Sequence, residues 1–144
     1  MLVIRAPLPY ELHCPTNSNC RHIQLRIYCA VADKPLYWLA TSLDDLRRFP
    51  EPARRQAGYE LRRLQQGLEP TDWKPLSSIG LGVHEIRLHV GTAHRVFYVA
   101  KFTEAIYVEH AFEKRTQRMA PTDQTTGQRR YRDLLAWRRT HGEE

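Results

Sequence analysis

The amino-acid sequence predicts an α+β domain in the order β-α-α-β-β-β-α, an antiparallel sheet with a helical hairpin packed on it and the helices over one face. Two observations carry this expectation. Three strand-like runs, VHEIRLHV, HRVFYVAKF and AIYVEHAFEK, succeed one another through links as short as GTA and TE, which suits hairpins and antiparallel pairing. Ahead of them Ala53, Ala57, Leu61, Leu64 and Leu68 recur at the spacing of one helix face, and such a stripe needs a sheet or a second helix to cover it. With 144 residues, 42% of them hydrophobic, the chain has the material for one core.

In chain order, residues 1–33 read as an N-terminal extension, either poorly ordered or the product of an overextended gene start. CPTNSNCRH is a turn-rich polar cluster, and only IQLRIYCAV after it has the look of a strand. From Lys34 the signals sharpen, and residues 34–121 read as the main domain. PLYWLA is a short apolar run suited to a strand. In SLDDLRRF, Ser42 is followed three residues later by Asp45, which resembles a capping box. Pro50 and Pro52 punctuate that helix and open a second, EPARRQAGYELRRLQQG, with Pro52 at its first position and Gly67 just past its end. Arg54, Arg55, Arg62 and Arg63 fall off the apolar stripe and read as a solvated face.

A proline- and glycine-bearing loop, LEPTDWKPLSSIGLG, leads into the strands. Ile86, Leu88 and Val90 share one face of the first, and Glu85, Arg87 and His89 the other. The middle run is apolar on both faces, as a central strand is. Residues 122–144 read as a C-terminal helix or tail with Tyr131, Leu134 and Leu135 on one side, its first half weakened by Gly127 and the threonines.

Composition narrows the partners. The 22 Lys and Arg against 16 Asp and Glu leave a net charge of +6, which suits phosphates or an acidic protein. No apolar run has the length of a membrane span. The opening MLVIRAPLPYELHC is broken by Arg5, two prolines and Glu11, unlike a signal peptide, so a cytoplasmic protein with reduced thiols is expected. Cys14, Cys20 and Cys29 form no CxxC pair and have no zinc-finger spacing with His13 or His22, so no metal is expected.

The strands carry unusual polar residues. Arg87 stands mid-strand, Arg95 starts the next strand across a short turn, Lys114 and Arg115 end the third, and Lys74 lies in the loop before the first. Pairing in sequence order brings these cations towards one side, a geometry suited to an RNA backbone. Arg87 also has a structural reading, an ion pair with Glu85 or Glu109.

The stretch WKPLSSIGLGVHEIRLHVGTAHRVFYVAKFTEAIYVEHAFEKRTQRMAP resembles the HigB-like, phage-derived branch of the RelE/ParE toxin superfamily. It carries, in the same order, the W-K-P-L segment, the E-[LI]-R strand, the R-[VI]-x-Y strand and the H-x-F-x-K-[KR]-T-Q strand end. LDDLRRFPEPARRQAGYELRRLQQG is similar to the helical hairpin of that branch. The resemblance runs from about Lys34 to about Pro121.

The resemblance implies the toxin of a type II toxin–antitoxin pair, a metal-free and cofactor-free endoribonuclease that cuts mRNA in the ribosomal A site. It further implies a helix-turn-helix (HigA-like) antitoxin from an adjacent gene. In the implied reaction the RNA 2′-hydroxyl attacks the adjacent phosphate, which needs a base, an acid and cations for the developing charge. Arg87, Arg95 and Arg115 match charge stabilisers. Lys74 matches the loop position of a catalytic His or Lys and is the candidate base; Lys114 is a phosphate contact or the acid. Phe112 would stack a base, with Gln117 beside it and His84 and His110 in reserve, each His also having a reading as a buried structural side chain. RelE proteins carry lysines in the strand that here holds Glu85, and a tyrosine near the C-terminus that Tyr131 is too distant to match, so base and acid stay open. Two other readings stay open as well: a ParE-like inhibitor of DNA gyrase, and an inactive basic module binding RNA or protein. The antitoxin is expected to present an acidic surface to the helices or to YRDLLAWRR, unless that segment packs on its own sheet.

Overall fold

The computed structural model describes residues 3–5 and 33–141. The elements are β1 (Val3–Arg5), β2 (Leu36–Leu39), α1 (Ser42–Arg47), α2 (Glu51–Gln65), β3 (Trp73–Pro75), β4 (Val83–Val90), β5 (Thr92–Val99), β6 (Ile106–Lys114) and α3 (Pro121–His141). The six strands form one sheet in the order β1-β2-β6-β5-β4-β3. The strand expected over residues 23–31 and the three cysteines lie outside the described residues.

The β4–β5 and β5–β6 hairpins pair antiparallel as expected, and β5 is interior. Gly91 at φ 72° makes the first of these turns, a conformation that costs glycine nothing. Three features depart from expectation. The sheet is mixed, because β2 runs parallel to β6 with Leu36 opposite Ile106. The segment before Lys34 supplies β1, antiparallel to β2. WKP is a short edge strand, β3, with Lys74 opposite Glu85, where the sequence suggested a loop.

The helices cover both faces, not one. Leu46 and Phe49, at and after α1, and Ala53, Ala57, Leu61 and Leu64 of α2 pack on Ile86, Leu88, Val96, Tyr98 and Val108. On the other face Tyr131 and Leu134 of α3 pack on Ile79, Val83, Phe97, Val99 and Tyr107. A strand apolar on both sides, with Val96 and Tyr98 one way and Phe97 and Val99 the other, needs both covers. Each fully buried Leu in these layers contributes about 1.5–3 kcal/mol.

Local chemistry explains the helix ends. Gly67, at φ 79°, closes α2: Leu68 N–H donates to Arg63 O at 2.9 Å and Gly67 N–H to Leu64 O at 3.0 Å, a Schellman motif. Leu68 therefore lies outside the helix and is exposed. Ser42 is not the cap of α1. Thr41 is, its hydroxyl donating to Asp45 Oδ2 at 2.8 Å, while the buried Ser42 hydroxyl donates to Val108 O at 2.9 Å and ties α1 to β6. Gly127 is no weak point in α3. It is buried over the sheet, where a Cβ would lie 3.2 Å from Ile79 Cγ2 and the Phe97 ring, so its lack of a side chain lets the helix approach.

A single irregularity sets which way the last side chains of β6 point. In this strand the register jumps from His110 opposite Phe97 to Val108 opposite Tyr98, leaving Glu109 as the extra residue of a bulge. Strict alternation from Tyr107 would aim Ala111 and Glu113 towards the α3 side. The bulge inverts the order, so Phe112 pairs with Arg95 and Lys114 with Ala93.

Candidate functional site

On the α3 side of the sheet, beyond the helix, three cross-strand rows bring polar residues together. The first runs Lys74, Glu85, Phe97, His110, the second Arg87, Arg95, Phe112, and the third His89, Ala93, Lys114. Lys74, Arg87, Arg95 and Lys114 set four cations against the two carboxylates of Asp72 and Glu85.

Each carboxylate faces two basic side chains. Arg87 Nε donates to Asp72 Oδ1 at 2.8 Å and His89 Nε2 approaches Asp72 Oδ2 at 2.9 Å. Burial alone would raise the Asp72 carboxyl, but the hydrogen bonds from His89 and Arg87 outweigh it and hold it below the ordinary value. The partner of Arg87 is thus Asp72, not Glu85 or Glu109. Sequence reading missed Asp72; its only signal was its place one residue before the β3 edge strand. Glu85 is 2% exposed, with Oε1 at 3.1 Å from Arg95 Nε and 3.8 Å from Lys74 Nζ. The Glu85–Arg95 contact is close but poorly aligned, so neither atom has a well-formed hydrogen bond. Arg95 Nη1 donates instead to His94 O at 2.9 Å.

The sequence-predicted residues divide accordingly. Lys74, Arg87, Lys114 and Phe112 reach the surface of this face, whereas Arg95 is 6% exposed and sits behind it. His110 belongs to the same face but is engaged at both nitrogens: Nε2 donates to Asp123 Oδ1 at 2.8 Å, and Arg130 Nη1 lies 3.4 Å from Nδ1. Burial pushes its pKa down against the pull of Asp123. Its ring stacks on Phe112, centroids 4.9 Å apart and planes 23° apart, so it supports Phe112 from beneath.

Three residues are not brought to these rows. His84 lies on the opposite face, packed between Trp73 and Tyr98 and pushed down in pKa by burial, because alternation along β4 separates it from Glu85 and Arg87. Arg115 comes after the strand end, largely exposed and 3.6 Å from Glu113, whose pairing with His94 puts it on the α1 side. Gln117 is exposed in the bend after β6.

The remaining face offers a surplus of positive charge beside an aromatic ring. Cations along a groove hold a phosphodiester backbone, and a ring beside them stacks a base without demanding its identity. Among the described residues, no group of three or more His, Cys, Asp or Glu side chains could hold a metal ion. No helix among them is long and apolar enough to cross a membrane.

Residues 44–132 match the family model described as phage derived protein Gp49-like (DUF891). The match spans α1 to the middle of α3 and includes every residue of the three rows. No curated protein matches the chain.

Proposed function

Because the chain belongs to the phage-derived Gp49-like family, a RelE/ParE-like toxin family, we propose that it is the toxin of a type II toxin–antitoxin pair. In this reading it is a HigB-like endoribonuclease that cuts mRNA on the ribosome. The observation that carries the reading is that the β6 bulge turns Phe112 and Lys114 to the open sheet face that already holds Lys74 and Arg87.

In the proposed reaction the RNA 2′-hydroxyl loses its proton and attacks the adjacent phosphorus. The 5′-oxygen of the next nucleotide leaves and takes up a proton, giving a 2′,3′-cyclic phosphate and a 5′-hydroxyl. Arg87, always protonated, would stabilise the charge gathering on the phosphoryl oxygens. Lys74, as the neutral amine, would take the hydroxyl proton, and Lys114, as the ammonium, would contact the phosphate or protonate the leaving oxygen. Phe112, backed by His110, would hold a base in place. Few groups on this face can orient a free strand, so the ribosome would supply the positioning that makes attack efficient. The antitoxin would be a helix-turn-helix protein from the adjacent gene with an acidic contact surface.

A coupled translation reaction with mapped mRNA ends tests this. Translated mRNA is expected to be cut within codons while naked mRNA survives micromolar protein. Equal cutting of both would remove ribosome dependence. Cutting of neither, with DNA gyrase inhibited instead, would replace the reading by the ParE-like one.

A further inference from the structure

We infer that Glu85 is a positioning residue that holds the Lys74 side chain over the cationic face, with the buried Arg95 guanidinium behind the carboxylate as its second counter-charge. The inference rests on the nuclease reading above and concerns a residue that the reading itself does not use.

The geometry points there in three ways. First, Glu85 and Lys74 are direct cross-strand partners, one on β4 and one on the edge strand β3. A three-residue edge strand gives a flexible four-carbon side chain little else to hold it. Second, the same carboxylate oxygen, Oε1, faces both Lys74 Nζ at 3.8 Å and Arg95 Nε at 3.1 Å. The exposures of the two cations differ: the Lys74 side chain is 43% exposed and that of Arg95 is 8%. The carboxylate therefore faces a buried cation on its inner side and, on its open side, a cation that substrate can reach. Third, Glu85 is an anion set within a surface otherwise suited to phosphates. A negative charge there weakens attraction for RNA, and a buried carboxylate is costly to desolvate unless cations offset it. Affinity for the substrate therefore does not explain its presence, whereas placement does. A lysine nitrogen rides on a mobile stem, and once that nitrogen has given up its own proton, its service as a proton acceptor is sensitive to displacements of about 1 Å.

The expected signature is a split between binding and turnover. Glu85→Gln preserves shape while removing the charge that holds the amine. It should lower kcat for cutting of translated mRNA by about 10- to 100-fold, with KM unchanged or reduced because an anion has left the face. In a Lys74→Met background the same substitution should lower kcat no further, since there is no amine left to place.

Wild-type protein run alongside separates the two levels. If wild type does not cut, the nuclease reading fails. If wild type cuts and Glu85→Gln matches its kcat, or if the loss persists in full on top of Lys74→Met, the reading stands and the positioning role is overturned. Should Glu85→Gln fail to fold by circular dichroism, Glu85→Asp decides. It keeps the charge but withdraws it by one methylene, so an intermediate kcat at unchanged KM is expected, and wild-type kcat would overturn the inference.

Discussion

Arg87 on β4 and Arg95 on β5 stand directly opposite each other in the sheet, and a different carboxylate holds each: Asp72 takes Arg87 and Glu85 takes Arg95. Like charges in one cross-strand pair oppose pairing. Here the repulsion is offset by moving the two guanidiniums into unequal surroundings, one near the surface and one buried. The pair is thus split in depth, Arg87 reaching the surface of the face and Arg95 lying behind it.

That division predicts that Arg95→Ala is first a stability variant. It leaves the Glu85 carboxylate buried with only the more distant Lys74 amine, and loss of one partner of a buried pair costs about 3–5 kcal/mol. Urea denaturation of Arg95→Ala and of the double variant Arg95→Met/Glu85→Gln checks this. The double variant should recover much of the loss, because no uncompensated charge remains. Equal destabilisation of both would show that Arg95 contributes packing rather than charge.

Phe112 and Lys114 should separate in an RNA-binding assay across a salt series. Phe112→Ala is expected to cost about 1–3 kcal/mol of affinity for a short single-stranded RNA with the salt slope unchanged. Lys114→Ala should instead reduce the slope of log K against log salt by about 0.7, one phosphate contact on a single strand. A changed slope for Phe112→Ala would place its effect on the backbone rather than on a base.

Glu109 gives the fold a pH dependence of defined sign. It is fully buried at the bulge, both carboxylate oxygens lack a hydrogen-bond partner, and burial pushes its pKa up to about 8 from 4.5 despite the nearby Arg130. A raised folded-state value means stability that is complete below the ordinary carboxylate range and lost as pH rises towards about 8. The slope for one group is at most about 1.4 kcal/mol per pH unit. Burial holds His84 and His110 below their ordinary value, which tilts part of this range the other way. The informative quantity is therefore the stability of Glu109→Gln minus that of wild type. It should grow between about pH 5 and 8, and a flat difference would mean that Glu109 is solvated or paired in solution.

Gly127 permits a graded test of how α3 seats on the sheet. An added Cβ lies 3.2 Å from both Ile79 Cγ2 and the Phe97 ring, tight but within small adjustment. Gly127→Ala gains about 1 kcal/mol of helix propensity against that crowding, so its stability should stay within about 1 kcal/mol of wild type. Gly127→Leu cannot be accommodated in the same way and should cost about 1–3 kcal/mol. Thermal unfolding of the two variants measures the difference.

Truncation after Pro121 should yield an unfolded or insoluble chain. It removes Tyr131 and Leu134 from the core and exposes Phe97, Val99 and Tyr107. The apolar residues of YRDLLAWRR are thereby largely explained by packing on their own sheet. A folded, soluble truncation product would return this segment to the proposed antitoxin as a docking surface.

What the sequence determined by itself is the part governed by local spacing. The apolar stripe of α2, its stop at Gly67, the β4–β5–β6 hairpins and the interior place of β5 come from periodicity and turn chemistry acting over a few residues. The cations that belong to the strands were legible too, since Arg87 and Arg95 stand out among apolar neighbours. Tertiary structure decided which of them meet. The parallel pairing of β2 with β6 joins segments far apart in the chain, and β1 joins that edge without a local signal. Asp72 became the partner of Arg87 only because an edge strand forms at Trp73. The same alternation that gathers Glu85 with Arg87 sends His84 to the other face. Above all, one unpaired residue at Glu109 inverts every side chain after it, so Phe112 and Lys114, not Ala111 and Glu113, stand beside Arg95. A strand's side-chain period is two, and a single residue left out of the ladder changes its parity. Whether a residue is left out depends on what packs against both faces, which no spacing within the strand records.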